Sequence, residues 1–136
     1  MKTKKVLILQ HDMPYAAIPG NTLRKEGFDV ETNWRQSREK WVEYSPEIIL
    51  SKDPDILLLY TTLASYDDGF DLCKRIRDIS NVPIIMFSGK DSEEAIILAL
   101  ELGADDYITQ PFSLKELVAR VNSLIRRAGM PGYYPD

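Results

Sequence analysis

The chain of 136 residues has one cysteine, Cys73, and one histidine, His11. A single cysteine excludes an intrachain disulfide and is typical of a reducing compartment, so we expect a cytoplasmic protein. A lone histidine without a cysteine beside it does not provide the nitrogen and sulfur ligands of a zinc site. We therefore interpret Cys73 as a core thiol and His11 as a hydrogen-bonded loop residue.

Long apolar runs are also missing, because no stretch approaches the roughly 20 residues of a transmembrane helix. We expect no membrane partner, and the apolar run after Lys5 is too short for a secretion signal. An excess of positive charge is also missing, since 17 Lys and Arg stand against 21 Asp and Glu and the net charge is -4. That balance argues against direct nucleic acid binding by this segment. Internal repeats and low-complexity tracts are absent, and the length suits one domain.

What the chain does have is an alternation of apolar runs and helical patterns, which predicts an α/β sandwich with a parallel sheet. The predicted strands are Lys5–Leu9, an edge strand Phe28–Thr32, Ile56–Leu59, Pro83–Phe87 and a fifth within Gly103–Phe112. The first helix has to start late or break, because Pro14, Pro19 and Gly20 lie in its span, and it should end near Gly27. The other predicted helices are Ser37–Ser45, a turn from Pro46 to Leu50, Gly69–Arg77, Asp91–Leu102 and Ser113–Arg127.

These blocks, in this order and spacing, resemble the receiver domain of bacterial two-component response regulators. The resemblance covers about Lys4 to Arg127. It implies a flavodoxin-like (βα)5 fold with a parallel five-stranded sheet of order 2-1-3-4-5. It also implies a signalling domain and not an enzyme, with residues 1–127 as the receiver and 128–136 as a linker or tail.

The resemblance breaks at the positions that carry the family's phosphoryl chemistry. In the family these positions hold two acidic Mg²⁺ ligands, a phosphate-accepting aspartate, a hydroxyl residue and a lysine; here they are Gln10, His11, Tyr60, Ser88 and Gln110. Phosphoryl transfer to a carboxylate needs a nucleophile, a divalent cation and a positive partner. Only the hydroxyl, at Ser88, is retained, so we expect no ordinary phosphorylation, no metal and no cofactor.

Two residues near this site leave alternatives open. Asp12 is the only nearby carboxylate, and a weak ion site there is possible but disfavoured. Tyr60 can fill the acidic pocket with its ring and direct its hydroxyl to water or to Asp12. Ser88 would then keep only a packing or hydrogen-bonding role.

The C-terminal third resembles the winged-helix (OmpR/PhoB-type) class, in which helix four, strand five and helix five form a symmetric dimer face. The implied ion pairs across the dimer are Asp105 with Arg120 and Asp106 with Arg127. A third pair, from helix four to Glu116, is lost because its basic position is Ile96. Further interface and switch residues implied by the match are Leu100, Ala119 and the switch aromatic Tyr107.

From the sequence we predict a pseudo-receiver that works by phosphorylation-independent association, as a homodimer that regulates an attached or separate transcriptional output. One alternative is a conventional acyl-phosphate receiver with a degenerate site, in which Asp12 takes part. Another is a small-molecule sensor whose ligand lies under Tyr60. A flavodoxin-type electron carrier is disfavoured, because Gln10 to Tyr15 lack the Ser/Thr/Gly phosphate loop that a flavin needs.

Overall fold

The computed structural model describes residues 3–11, 17–35, 45–61, 68–88 and 92–129, with His11, 33–35 and Asp68 described by backbone only. The strands are β1 (Lys5–His11), β2 (Asp29–Arg35), β3 (Ile56–Tyr60), β4 (Ile84–Ser88) and β5 (Asp106–Thr109). The helices are α1 (Ala17–Lys25), α2 (Pro46–Ser51), α3 (Asp68–Arg77), α4 (Glu93–Glu101) and α5 (Leu114–Ala128). No helix within these ranges is long and apolar enough to cross a membrane.

The five strands form one parallel sheet of order β2-β1-β3-β4-β5, which confirms the predicted flavodoxin-like topology. The central strands are apolar at consecutive positions because helices cover both faces of the sheet. Residues of β3 alternate between the two sides. Leu57 and Leu59 face the layer with α2, α3 and α4, whereas Ile56 and Leu58 face the layer with α1 and α5.

The sequence pattern predicts most element starts to within one or two residues, but it ends two strands too early. β1 extends two residues beyond the predicted end, to His11, and β2 continues to Arg35 instead of ending at Thr32. Both continue because they pair with each other up to His11 opposite Arg35. The predicted helix Ser37–Ser45 falls almost wholly outside the described residues.

Prolines and serines set the helix starts. The structure describes α1 from Ala17, and Pro19 is its third residue, where a backbone N–H would have no acceptor within the helix. Ser45, Ser92 and Ser113 cap α2, α4 and α5, each accepting a hydrogen bond from the backbone N–H three residues ahead. A cap of this kind contributes about 1 kcal/mol.

Cys73 lies in the core on α3 with no exposed surface, as expected from the sequence. Burial raises the pKa of its thiol to about 11. The unfolded chain has a thiol pKa of about 8.5, so the folded state holds this proton more tightly. The resulting stability is complete below the unfolded pKa and is lost as pH rises through the folded pKa.

We therefore expect the free energy of unfolding to fall more steeply above about pH 8.5 in the native chain than in Cys73→Ala. Urea unfolding at a series of pH values from neutral to alkaline measures this slope. The comparison isolates Cys73, because the native chain and the variant share every other titrating group. If the free energy of unfolding depends on pH in the same way for both proteins, Cys73 has the same pKa in the folded and unfolded states.

Candidate functional site

The polar residues predicted from the sequence lie at one edge of the sheet, where the carboxyl ends of the parallel strands meet. Gln10 lies near the end of β1, Tyr60 ends β3, Ser88 ends β4 and Gln110 follows β5. In an open parallel sheet, ligands bind beyond this edge at the switch point of the strand order. The fold therefore gathers these residues where a functional site is expected.

Tyr60 spans this edge from β3 to β5. Its hydroxyl donates a hydrogen bond to Oε1 of Gln110 at 3.0 Å. Its ring meets Phe87 edge to face, with centroids 4.9 Å apart and an interplanar angle of 83°. We expected water or Asp12 as the acceptor of the hydroxyl. The described acceptor is instead the Gln110 amide, while Asp12 lies outside the described residues.

The Tyr60 hydroxyl stays protonated near neutral pH. Its burial raises the pKa of this phenol above the usual value, and the nearby Tyr107 raises it further. A neutral phenol can donate a hydrogen bond and is a weak nucleophile. The chemistry of Tyr60 is therefore that of a hydrogen-bond donor.

A second contact at the same edge involves Thr61, which the sequence analysis did not single out. Its Oγ1 donates a hydrogen bond to Oγ of Ser88 at 2.7 Å. Thr61 has no exposed surface and Ser88 is 2% exposed. Ser88 thus has the hydrogen-bonding role that the sequence suggested. The sequence feature that could have identified Thr61 as a site residue is its position as a polar residue directly after an apolar strand.

The start of α3 closes over these strand ends. The Gly69 N–H donates to the carbonyl oxygen of Thr61 at 2.8 Å. A Cβ at Gly69 would overlap the backbone carbonyl of Tyr60, so only glycine permits this approach. Gln10 is also buried at this edge, with 1% exposure.

The side chains that the structure describes at this edge are all neutral. Within the described ranges, no three His, Cys, Asp or Glu residues group closely enough to hold a metal ion. Asp12 and the side chain of His11 are outside those ranges, so the expected absence of a metal site stays a prediction. Neutral donors and acceptors suit hydrogen bonding between strands better than the binding of a divalent cation.

Four charged residues expected at a dimer face, Asp105, Asp106, Glu116 and Arg120, form ion pairs within the single chain. Arg120 makes a salt bridge to Asp106 at 2.9 Å and another to Glu116 at 3.0 Å. These hydrogen bonds, first that to Asp106, raise the pKa of Arg120. Asp105 is engaged by Arg77 of α3 at 2.9 Å instead of by Arg120. The predicted pairs across a dimer, including Asp106 with Arg127, are not tested by one chain.

The apolar residues predicted at this face differ in accessibility. Leu100 is 47% exposed and Ala119 is exposed, whereas Ile96 is partly buried and packs against the core. The structure adds Ile97, 45% exposed and one helical turn before Leu100. Tyr107, the predicted switch aromatic, is buried in the same core layer as Ile96.

Comparisons with known proteins agree with the geometry. The family model described as response regulator receiver domain matches residues 6–122. The BeF3-activated N-terminal receiver domain of Klebsiella pneumoniae RstA is 28% identical with a TM-score of 0.77, over 90% of this chain and 99% of that one. A putative response regulator from Chloroflexus aurantiacus is 31% identical with a TM-score of 0.76, over 92% and 99% of the two chains. A two-component response regulator from Clostridium difficile is 26% identical with a TM-score of 0.76, over 94% and 100%. The chain belongs to the response regulator receiver domain family and is a receiver domain of two-component signalling.

Proposed function

We propose that this receiver domain acts by association with a second copy of itself, independently of phosphorylation, and so controls a transcriptional output. The observation that carries the proposal is the hydrogen bond from Tyr60 to Gln110. The two residues that form it are neutral, and they stand at the positions where the family has an aspartate and a lysine. A site of this kind lacks the carboxylate nucleophile and the positive partner of phosphoryl transfer.

The face formed by α4, β5 and α5 supports the association half of the proposal. Ile97 and Leu100 present apolar side chains to solvent on one side of α4. A surface depression of about 330 Å³ lies between β5 and α5 and is lined by residues that include Asp106, Arg120 and Arg127. Burial of the apolar residues would supply affinity, while the charges at the rim would set the register of the two copies.

We expect no acyl phosphate to form on incubation with acetyl phosphate and Mg²⁺. The reason is the combination of a phenol at residue 60 and an amide at residue 110, since neither replaces the group that the reaction needs. Intact-mass spectrometry of the whole chain measures the adduct directly, with a phosphorylatable receiver domain as the positive control. A stoichiometric, hydroxylamine-labile adduct would establish the conventional receiver mechanism in its place.

The single variant Tyr60→Asp sharpens this test. It restores a carboxylate but leaves Gln10 and Gln110 unchanged, so most of the electrostatic stabilisation of the transferring phosphoryl group is still missing. We expect this variant to remain unlabelled as well. Strong labelling of Tyr60→Asp, with none of the native chain, would mean that residue 60 alone blocks the reaction.

A further inference from the structure

Two side-chain hydrogen bonds connect three neighbouring strands at the site edge. Tyr60 of β3 bonds to Gln110 at the end of β5, and Thr61, next along the chain, bonds to Ser88 of β4. We name these four residues the strand-end lock. We propose that the strand-end lock holds the ends of β3, β4 and β5 in one arrangement. The domain would then keep this conformation without an anion bound at the site.

The lock contains the contacts that a fixed arrangement requires. The Thr61 to Ser88 bond is fully buried, so water does not compete for it, and a net hydrogen bond contributes about 1 kcal/mol. The Tyr60 ring is held in place by its edge-to-face contact with Phe87. A phenol is ordinarily protonated at neutral pH, and burial raises the pKa of Tyr60 further, so its hydroxyl is a donor there.

The lock also lies where it can position the association face. Gln110 is joined to β4 by its backbone, since its N–H donates to the carbonyl of Ser88 at 2.7 Å. Three residues later, Ser113 caps α5, the helix that carries Arg120. In this proposal Tyr60 and Thr61 are positioning residues for the ends of β5 and β4, and the chain continues from the end of β5 into α5.

The role of the strand-end lock in signalling rests on the proposed function, but the test of the lock does not depend on dimerisation. The test is amide hydrogen exchange by NMR, on dilute monomer, in Tyr60→Phe and in Thr61→Val. Tyr60→Phe removes one oxygen and keeps the ring against Phe87. Thr61→Val replaces the hydroxyl by a methyl group of similar size, and Thr61→Ser is its matched control because it keeps the hydroxyl.

The expected result is local. The backbone N–H of Gln110 should exchange about fivefold to tenfold faster in Tyr60→Phe than in the native chain, as expected for the loss of one hydrogen bond. The amide of Asp105, which bonds to the Ile84 carbonyl at the other end of the same strand pair, should not change. In Thr61→Val, the Thr61 position and Gln110 should both exchange faster, and Thr61→Ser should restore the slow exchange.

Two outcomes would contradict the proposal of a strand-end lock. If exchange at Gln110 is unchanged in both hydroxyl-deleting variants, the side-chain bonds do not hold the strand ends. If Gln110 and Asp105 accelerate equally, the variants only lower global stability and the residues have no positioning role. Either result leaves the phosphorylation test untouched, because that test reads a covalent adduct, so the two proposals fail separately.

Discussion

Replacing Leu100 with aspartate is expected to weaken the dimer by at least about tenfold, because a half-exposed leucine gains roughly 1 kcal/mol or more on burial and both copies lose it. The added carboxylate would also have to be desolvated at the interface, beside Glu101. Sedimentation equilibrium over a range of protein concentrations measures the dissociation constant. Leu100 is the better site than Ile96, whose packing against the core would confuse loss of association with loss of stability.

A matched control comes from α2. Ile48 is an apolar helical residue 45% exposed, close to the 47% of Leu100, and it lies outside the α4, β5 and α5 face. Ile48→Asp adds the same charge and should leave the dissociation constant unchanged. Equal weakening by both substitutions would point to a general effect of charge. A dimer insensitive to Leu100→Asp would place the interface elsewhere, and a native chain that stays monomeric would reject the homodimer.

The second large effect is expected from Arg77→Ala, which should reduce the free energy of unfolding by about 3 kcal/mol, the lower end of the cost of breaking a buried ion pair from one side, because this pair is largely buried. Arg77 and Asp105 are each only 13% exposed. The guanidinium also donates to three backbone carbonyl oxygens, those of Gly103, Ser80 and Val82. It therefore ties the end of α3 to the loops before β4 and β5.

Urea unfolding of Arg77→Ala measures this cost, and Lys74→Ala is the matched control. Lys74 lies on the same helix and forms an ion pair with Asp78, but its side chain is 58% exposed. An exposed pair contributes about 0–1 kcal/mol, so the control should lose little. Similar small losses in both variants would show that the Arg77 contacts are not stabilising.

The fold could be predicted from the sequence because its determinants are local and repeated. Apolar runs such as Ile56–Leu59 are bounded by turn residues, and hydroxyl residues such as Ser92 and Ser113 mark helix starts. Parallel strands then bring their carboxyl ends together by topology alone. That is why Tyr60, Ser88 and Gln110 could be assigned to one edge without coordinates.

Side-chain partners could not be predicted in the same way, because they depend on direction and distance between residues far apart in the chain. Tyr60 and Gln110 are 50 positions apart, and nothing in the sequence favours that amide over water or Asp12 as acceptor. Arg77 looks like one more basic residue in the last turn of a helix. Only the packed structure turns it towards Asp105, a residue that the sequence assigned to a dimer contact.

The most direct measurement is the dissociation constant of the native chain with and without Mg²⁺ and beryllofluoride, determined by sedimentation equilibrium. Beryllofluoride probes an aspartate site, and Tyr60 offers it no carboxylate. A receiver that associates independently of phosphorylation should dimerise equally well in both conditions. A dimer that forms, or becomes tighter, only when Mg²⁺ and beryllofluoride are present would contradict phosphorylation-independent association.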